Sequence, residues 1–317
     1  MKIAVTGATG FIGKTLVNKC LSNGYEVNVL SRKDIDDDFF DKPVKAFKGD
    51  LIEETSILNE FLMGVDILYH CAAEIYDSAL IEKVNIDGTN NLIEACKGKK
   101  LKWVQLSSTG VYGHPIIGII TEESKENPKG LYEVSKLRAD RIIEEAGDKN
   151  NLNYVIVRPS NVFGAQMTNQ SLFQLIKSVD NNKFIRIGKR NAVANYIHVD
   201  NVIESLLICG LDDSTSYKTF IISDYCKMDI FVSYIAEALK KKIPVYRIPK
   251  SLMIILVIII KRIIPSFPLT KNRVKALTSS CIFSSSLILN TTKFSYIVNI
   301  EEGLNELVSE YKRRLEL

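Results

Sequence analysis

The sequence lacks the residue clusters that hold metals and disulfides. Its six cysteines are scattered over 317 residues, with no Cys-x-x-Cys pair and no Cys/His spacing that suits zinc. We therefore expect no metal site and buried free thiols in a reducing cytosol, which predicts a cytoplasmic protein. The cysteines are Cys20, Cys71, Cys96, Cys209, Cys226 and Cys281.

Dense basic blocks and long apolar runs are also missing. The formal net charge is +4 and the Lys and Arg residues are spread along the chain, so we expect no nucleic-acid partner. The chain starts directly on a strand-like run, so we expect no signal peptide. The apolar run at 252–260 has nine residues before Lys261 and Arg262, well short of the roughly 20 of a membrane-spanning helix. A buried helix or dimer face is favoured there, and contact with a membrane interface is the alternative.

Apolar runs of strand length alternate with helical stretches over the first half of the chain. The runs extend from "KIAVTGA" near the start to "NYVIVRPS" at 153–160, and "YKTFIIS" at 217–223 adds a later one. This alternation is typical of βαβ units, and runs that are apolar throughout are expected when helices cover both faces of a sheet. The sequence therefore predicts an α/β protein with a doubly wound parallel sheet.

The stretch "TGATGFIG" at 6–13 joins the first strand to the first helix. Glycines at Gly7, Gly10 and Gly13 permit a tight turn and let backbone amides approach a pyrophosphate at the helix N-terminus. The first gap is two residues, unlike the one-residue gap of G-x-G-x-x-G, but the strand–loop–helix context is the one that the fingerprint requires. We therefore predict a Rossmann-type dinucleotide-binding fold.

The end of the second strand indicates which dinucleotide is bound. An acidic residue there would hold the ribose hydroxyls of NAD, whereas a cation accommodates the 2′-phosphate of NADP. The chain has Ser31 and Arg32 at this place, and a guanidinium can bind a phosphate through two parallel hydrogen bonds. The sequence thus favours NADP(H) over NAD(H).

A hydroxyl, a phenol and an amine occur at a spacing that suits hydride chemistry. "SSTGVYG" at 107–113 follows the fifth strand, and Tyr132 and Lys136 in "YEVSK" lie four residues apart on one helical face. A phenol titrates near pH 10, and a nearby ammonium lowers its pKa. A strand-end serine can bind the same substrate oxygen. The trio predicts hydride transfer between a nicotinamide and a carbinol or carbonyl.

These motifs resemble those of the extended short-chain dehydrogenase/reductase family, of the NAD-dependent epimerase/dehydratase type that modifies nucleotide-sugars. The resemblance covers nearly the whole chain. Its further motifs are "GDL" at 49–51, "YHCAA" at 69–73, "VNIDGTNNL" at 84–92, "RPSNVFG" at 158–164, "YIHVDNV" at 196–202 and "IEEGL" at 300–304.

The resemblance implies a role for each matching residue. Tyr132 would be the acid/base, Lys136 its partner, and Ser108 the hydroxyl that polarises the substrate. The implied cofactor contacts are Gly7, Thr9, Gly10, Phe11, Ile12, Gly13, Ser31, Arg32, Asp50, Leu51, Ala72, Ala73, Asn85, Tyr132 and Lys136. The implied substrate contacts are Thr109, Asn161 and Arg273.

The resemblance also implies a domain organisation. It implies a dinucleotide-binding domain of 1–159 plus part of 192–225, and a smaller C-terminal α/β substrate-binding domain of 160–191 and 226–317. A homodimer through a two-helix face is expected from the family.

Departures from the family pattern narrow the reaction. Dehydratases carry an acidic pair after the strand-end hydroxyl, and this chain has Thr109 and Gly110 there. NADPH-dependent reduction of a 4-keto-6-deoxy-hexose or hexosamine nucleotide, for surface polysaccharide synthesis, is favoured by Ser31 and Arg32. The C-terminal stretch 273–288 resembles the tail of such reductases. A UDP-hexose 4-epimerase, a reductase of a hydrophobic substrate such as a steroid, and a non-catalytic NADP(H) sensor or scaffold are the alternatives.

Overall fold

The computed structural model describes residues 1–53, 55–113, 117–167, 170–264 and 269–316. The strands are β1 (Lys2–Thr6), β2 (Glu26–Ser31), β3 (Lys45–Lys48), β4 (Ile67–His70), β5 (Lys102–Leu106), β6 (Ile117–Ile120), β7 (Asn153–Pro159), β8 (Asn161–Phe163), β9 (Arg186–Ile187), β10 (Val193–His198), β11 (Lys218–Ile222), β12 (Asp224–Lys227), β13 (Arg247–Ile248) and β14 (Ser280–Phe283). The helices are α1 (Phe11–Ser22), α2 (Thr55–Phe61), α3 (Gly88–Cys96), α4 (Leu131–Asn150), α5 (Gln170–Asp180), α6 (Val199–Leu211), α7 (Met228–Ala238), α8 (Lys250–Ile263), α9 (Lys271–Ala276), α10 (Ser286–Thr291) and α11 (Ile300–Glu316). A π-helical turn, Lys83–Asp87, runs directly into α3.

A seven-stranded sheet organises the chain, in the order β11-β7-β5-β4-β1-β2-β3. All of its strand pairs are parallel. The chain moves outward from β1 through β2 to β3, then returns to place β4 on the other side of β1. Ligands of such sheets bind at this switch point, outside the carboxyl ends of the strands. The predicted α/β fold class is confirmed.

Each face of the sheet is covered by helices because successive strand residues point to opposite sides. In β1, Ile3 and Val5 are fully buried against α1 and α6, and Ala4 is fully buried against the layer formed by α2, α3 and α4. This two-sided burial explains why the strands read as unbroken apolar runs.

Three small sheets and several helices form much of the rest of the described chain. Sheets β12-β10-β8, β13-β9 and β14-β6 lie in this part, and helices α5, α7 and α11 share one apolar cluster. Strand β11 belongs to the large sheet although it follows several of these elements. The domain boundaries inferred from the sequence remain a prediction.

The apolar run 252–260 forms most of α8, whose buried side chains are Met253 and Val257. The sequence predicted a buried helix, and α8 is buried along one face only. Within the described ranges, no helix is both long enough and apolar enough to cross a bilayer.

Candidate active site

The glycine loop is so tight that Gly7 and Gly13 leave no room for a side chain. Gly7 has φ +66°, and the backbone amide of Gly10 donates a hydrogen bond to the Gly7 carbonyl at 3.0 Å. A Cβ on Gly13 would lie 2.1 Å from that carbonyl oxygen, so only glycine fits. Helix α1 begins at Phe11, and its free N-terminal amides face the loop. This cradle fits the pyrophosphate of a dinucleotide.

The loop packs directly on the end of the neighbouring strand. A Cβ on Gly7 would lie 2.6 Å from the Ala72 nitrogen, and the Thr6 hydroxyl accepts a hydrogen bond from that nitrogen at 3.3 Å. Ala72 and Ala73 therefore follow β4 at the back of the cradle, where the sequence predicts a wall for the cofactor.

The ends of β2 and β3 meet beside the loop. The Gly49 amide donates to the Ser31 carbonyl at 2.9 Å, which places Asp50 next to Ser31. The Ser31 hydroxyl donates to the Lys33 carbonyl at 2.8 Å, so it closes a local turn. Arg32 is exposed, and its charge lowers the pKa of Glu74, after the larger effect of backbone hydrogen bonds from Tyr76 and Asp77.

The predicted catalytic residues converge at the carboxyl end of β5. Ser108 caps the 3₁₀ turn Thr109–Tyr112, and its hydroxyl accepts a hydrogen bond from the Gly110 amide at 3.0 Å. A Cβ on Gly110 would lie 2.8 Å from Cγ of Glu133, so this turn packs against the first turn of α4. Tyr132 lies in that first turn and is half-buried. The structure therefore brings Ser108 and Tyr132 to one end of the sheet.

Lys136 lies one turn after Tyr132 and is buried. Burial lowers the pKa of Lys136, while the Asp140 carboxylate raises it. The Lys136 charge also acts on two residues at the end of β4. Burial lowers the pKa of His70, and the Lys136 charge lowers it further. Burial raises the pKa of Cys71, and the Lys136 charge opposes that rise. The ammonium thus lies between the catalytic helix and the wall behind the glycine loop.

The pKa of Tyr132 differs from the sequence-based expectation. Burial, together with the smaller effects of the Glu133 and Asp140 charges, raises it to about 12. The sequence predicts that the Lys136 charge lowers this pKa. In the structure, the cost of removing the phenolate from water is larger than the effect of that charge, and the spacing of the two residues does not show this cost. Tyr132 therefore keeps its proton at neutral pH and is set up to donate it.

A buried chain of hydrogen bonds connects the glycine loop to α4, the helix that carries Tyr132 and Lys136. Thr6 Oγ1 lies 2.7 Å from His70 Nδ1, and His70 Nε2 lies 3.2 Å from Thr89 Oγ1. The chain continues from Thr89 Oγ1 to the Asn85 carbonyl at 2.8 Å, from Asn85 Nδ2 to Ser135 Oγ at 2.9 Å, and from Ser135 Oγ to the Tyr132 carbonyl at 2.8 Å.

The donors along this chain determine the tautomer of His70. Thr89 donates its only hydroxyl proton to the Asn85 carbonyl, so it must accept the proton of His70 Nε2. His70 Nδ1 then accepts from the Thr6 hydroxyl. His70 must be neutral for both bonds to form. Burial, with the nearby Lys136 charge, lowers its pKa from 6.5 to about 3.

We expect acid to destabilise the protein through His70. Because the folded pKa of about 3 lies below the unfolded value of 6.5, stability is complete above pH 6.5 and declines as pH falls towards 3. Urea midpoints measured from pH 7 to pH 5 should fall for the native protein and less steeply for His70→Gln, which cannot take up the proton. Equal slopes for the two proteins would contradict this assignment.

Several residues of the site carry no role in the sequence-based prediction, although all of them except Asp140 lie inside its motifs. His70 precedes the wall residues in "YHCAA", and Ser135 lies between Tyr132 and Lys136. Asp140 and Arg158 are buried and hydrogen-bonded at 3.1 Å beneath the site. Because each acts through a partner distant in sequence, motif spacing alone does not reveal it.

Two of the predicted substrate residues lie on other elements, β8 and α9. The Asn161 amide donates to the Asn195 carbonyl at 2.9 Å, where β8 and β10 pair. Arg273 lies on α9, and its guanidinium donates to Gln174 of α5 at 3.1 Å. Thr109 is the exception, since it is buried directly after Ser108.

Comparison with known proteins identifies related sequences and structures. A family model described as NAD dependent epimerase/dehydratase family matches residues 3–222. The chain is 29% identical to the human sterol-4-alpha-carboxylate 3-dehydrogenase, decarboxylating, over 78% of this chain and 69% of that protein. It is 24% identical to the N-acetyl-alpha-D-glucosaminyl-diphospho-ditrans,octacis-undecaprenol 4-epimerase of Escherichia coli O157:H7, over 79% and 76%. The crystal structure of UDP-glucuronic acid 4-epimerase from Bacillus cereus, in complex with NAD, superposes with a TM-score of 0.77 at 20% identity, over 99% of each chain.

The predicted preference for NADP(H) over NAD(H) is wrong. The matching family model is described as NAD dependent, and the Bacillus cereus structure holds NAD. The residues behind the prediction also behave differently in the structure, because the Ser31 hydroxyl is used within its own turn and Arg32 lies in the field of the Glu74 carboxylate. A cation at the end of β2 is therefore not sufficient evidence for a 2′-phosphate.

Proposed function

This chain belongs to the NAD-dependent epimerase/dehydratase family, and on that basis we propose that it epimerises C4 of a nucleotide-activated sugar. The observation that carries the proposal is the placement of Ser108 and Tyr132 at one end of the sheet, beside the glycine-loop cradle and the buried Lys136. A phenol that holds its proton, next to a hydroxyl that can bind the same oxygen, suits reversible transfer of one proton at a secondary alcohol.

The cradle fits NAD, which supplies a hydride acceptor and donor when it is bound. We propose that the amides of the loop hold its pyrophosphate, that Asp50 and Leu51 contact the adenine, and that Lys136 binds the nicotinamide ribose. Ala72 and Ala73 would form the wall behind the phosphates, with Asn85 bracing the active-site backbone. The remaining proposed contacts are Thr9, Phe11, Ile12, Ser31, Arg32 and Tyr132.

The chain's own residues provide the acid/base chemistry. Ser108 holds the substrate O4 by a hydrogen bond, and Tyr132 moves the O4 proton. In the oxidative half, the phenolate of Tyr132, which is its minor form at neutral pH, takes the O4 proton as the alcohol becomes a ketone. In the reductive half, Tyr132 returns the proton to O4 while the hydride would return to the opposite face of C4, so proton and hydride are both restored over one cycle.

The residues after Ser108 favour epimerisation over dehydration. Thr109 and Gly110 stand where an acidic pair would protonate a leaving hydroxyl, and the carboxylate of Glu133, whose Cγ lies beside Gly110, is directed at Gly130. The sequence favoured NADPH-dependent reduction mainly because Ser31 and Arg32 indicated NADP(H). That support is removed because the cofactor prediction is wrong. Reduction of a 4-keto sugar remains as the second half of the epimerase cycle.

We expect the protein with NAD to interconvert UDP-glucose and UDP-galactose, or their N-acetylhexosamine counterparts, without net accumulation of NADH. Proton NMR of the sugar products and absorbance at the NADH band measure the two quantities. Stoichiometric NADH consumption by a 4-keto sugar without interconversion would instead assign a reductase. NADH accumulation from a 3-hydroxysteroid without sugar turnover would assign the activity of the sterol-type relatives.

A further inference from the structure

Helix α8 presents an apolar face that the rest of the described chain does not cover. Leu252, Ile255, Ile259 and Ile263 are exposed by 47%, 53%, 49% and 75%. At about 100° per residue these four side chains share one narrow arc of the helix. We call them the α8 face. Soluble proteins leave such contiguous aliphatic surfaces exposed mainly where they meet a partner or a membrane.

The opposite side of α8 fixes the direction of this face. Met253 and Val257 are buried in a cluster with Ile187 of β9 and Val274 of α9. The residues just before β13 are also apolar and exposed: Val245 by 75% and Tyr246 by 78%. The α8 face is thus held outward by packing and cannot turn inward without breaking that cluster.

The segment of sequence that contains α8 carries charge of one sign. The segment 238–300 contains eleven Lys and Arg residues and no Asp or Glu, whereas all 37 acidic residues lie in the rest of the chain. Two of these cations pair with carboxylates from outside the segment, Lys241 with Asp180 and Arg247 with Asp229. Others are exposed, among them Lys240, Lys242, Arg262, Lys271 and Lys275.

We propose that the α8 face docks on the surface of an anionic lipid bilayer. The helix has 14 residues and would lie in the interface, with its aliphatic arc among the acyl chains and its flanking cations at the headgroups. A second copy of the chain is a poorer occupant, because a symmetric contact would place two acid-free basic segments against each other. The inference does not depend on the proposed reaction.

Sedimentation with vesicles tests the proposal. The purified full chain should pellet with vesicles of phosphatidylglycerol and phosphatidylcholine, and much less with phosphatidylcholine alone. The double variant Ile255→Ser, Ile259→Ser should bind the anionic vesicles at least about tenfold more weakly. Lys261→Glu, Arg262→Glu should also weaken binding, and added salt should weaken the binding of the native protein.

A matched variant separates the α8 face from general surface stickiness. Ile117 and Ile119 of β6 are exposed by 73% and 68%, and serine at both should leave vesicle binding unchanged. Equal pelleting with both vesicle types, or unchanged binding of the α8 double variant, would overturn the proposal. Loss of a dimer in that variant, measured by light scattering without any vesicle binding by the native protein, would assign the face to a second copy.

Discussion

Tyr132→Phe should reduce kcat by about 10²–10⁴-fold and leave the affinity for NAD nearly unchanged. Phenylalanine keeps the ring of Tyr132 and its packing in the first turn of α4 but removes the only group proposed to move the O4 proton. Ser108 would still hold the substrate oxygen, so the KM should change less than kcat.

The pH dependence distinguishes acid/base catalysis from a structural role. Because the pKa of Tyr132 is raised to about 12, the protonated phenol required for ketone reduction is present throughout the neutral range. The oxidative half needs the phenolate, so its kcat/KM should rise with pH. The reductive rate should stay flat until alkaline pH, and Tyr132→Phe should lose both features.

Tyr76→Phe is the matched control, because that tyrosine follows β4 near the site but is 81% exposed. Its turnover should equal that of the native protein, and NADH fluorescence titration should give equal affinities for all three proteins. Undiminished turnover in Tyr132→Phe would contradict the enzyme assignment and favour a non-catalytic sensor or scaffold.

Local motifs made the fold predictable and led to the candidate site residues. The glycine loop, the strand-end Ser108 and the pair Tyr132 and Lys136 each lie within a few residues of a strand or helix terminus. The regular order of strand and helix then brings these termini to one edge of the sheet, as Gly7 packing on Ala72 shows. Position along a βαβ chain is enough to predict such convergence.

Burial and long-range pairing were not predictable in the same way. Spacing shows that Lys136 lies near Tyr132, but it does not show that desolvation and the Asp140 charge raise the phenol's pKa instead. The bond between Thr6 and His70 spans 64 residues, and that between Tyr112 and Arg158 spans 46. The excess of cations in 238–300 is visible in the sequence, but its meaning depends on the exposed α8 face.

Arg158→Met should destabilise the protein by about 3–5 kcal/mol, because it leaves buried carboxylates without their cation. The Arg158 guanidinium donates to Asp140 at 3.1 Å, to the Tyr112 hydroxyl at 2.9 Å and to Glu126 at 2.9 Å. Asp140 is fully buried, and its pKa is already raised by burial although Arg158 and Lys136 oppose that effect. Without Arg158 the pKa of Asp140 should rise further. Urea denaturation followed by circular dichroism measures the loss.

The effect should reach the active site and should depend on pH. If Asp140 takes up a proton, Lys136 loses the carboxylate that supports its charge, so catalysis should fall in the folded fraction. Because the pKa of Asp140 is raised in the folded state, its cost is complete above that pKa and disappears as pH falls to the unfolded value, so the stability gap between Arg158→Met and the native protein should narrow as pH falls. Arg141→Met is the control: Arg141 also pairs with Glu126, but its side chain is 57% exposed, so its loss should cost less than about 1 kcal/mol. Equal stability of Arg158→Met and Arg141→Met would contradict the expected contribution of the buried Arg158–Asp140 pair to stability.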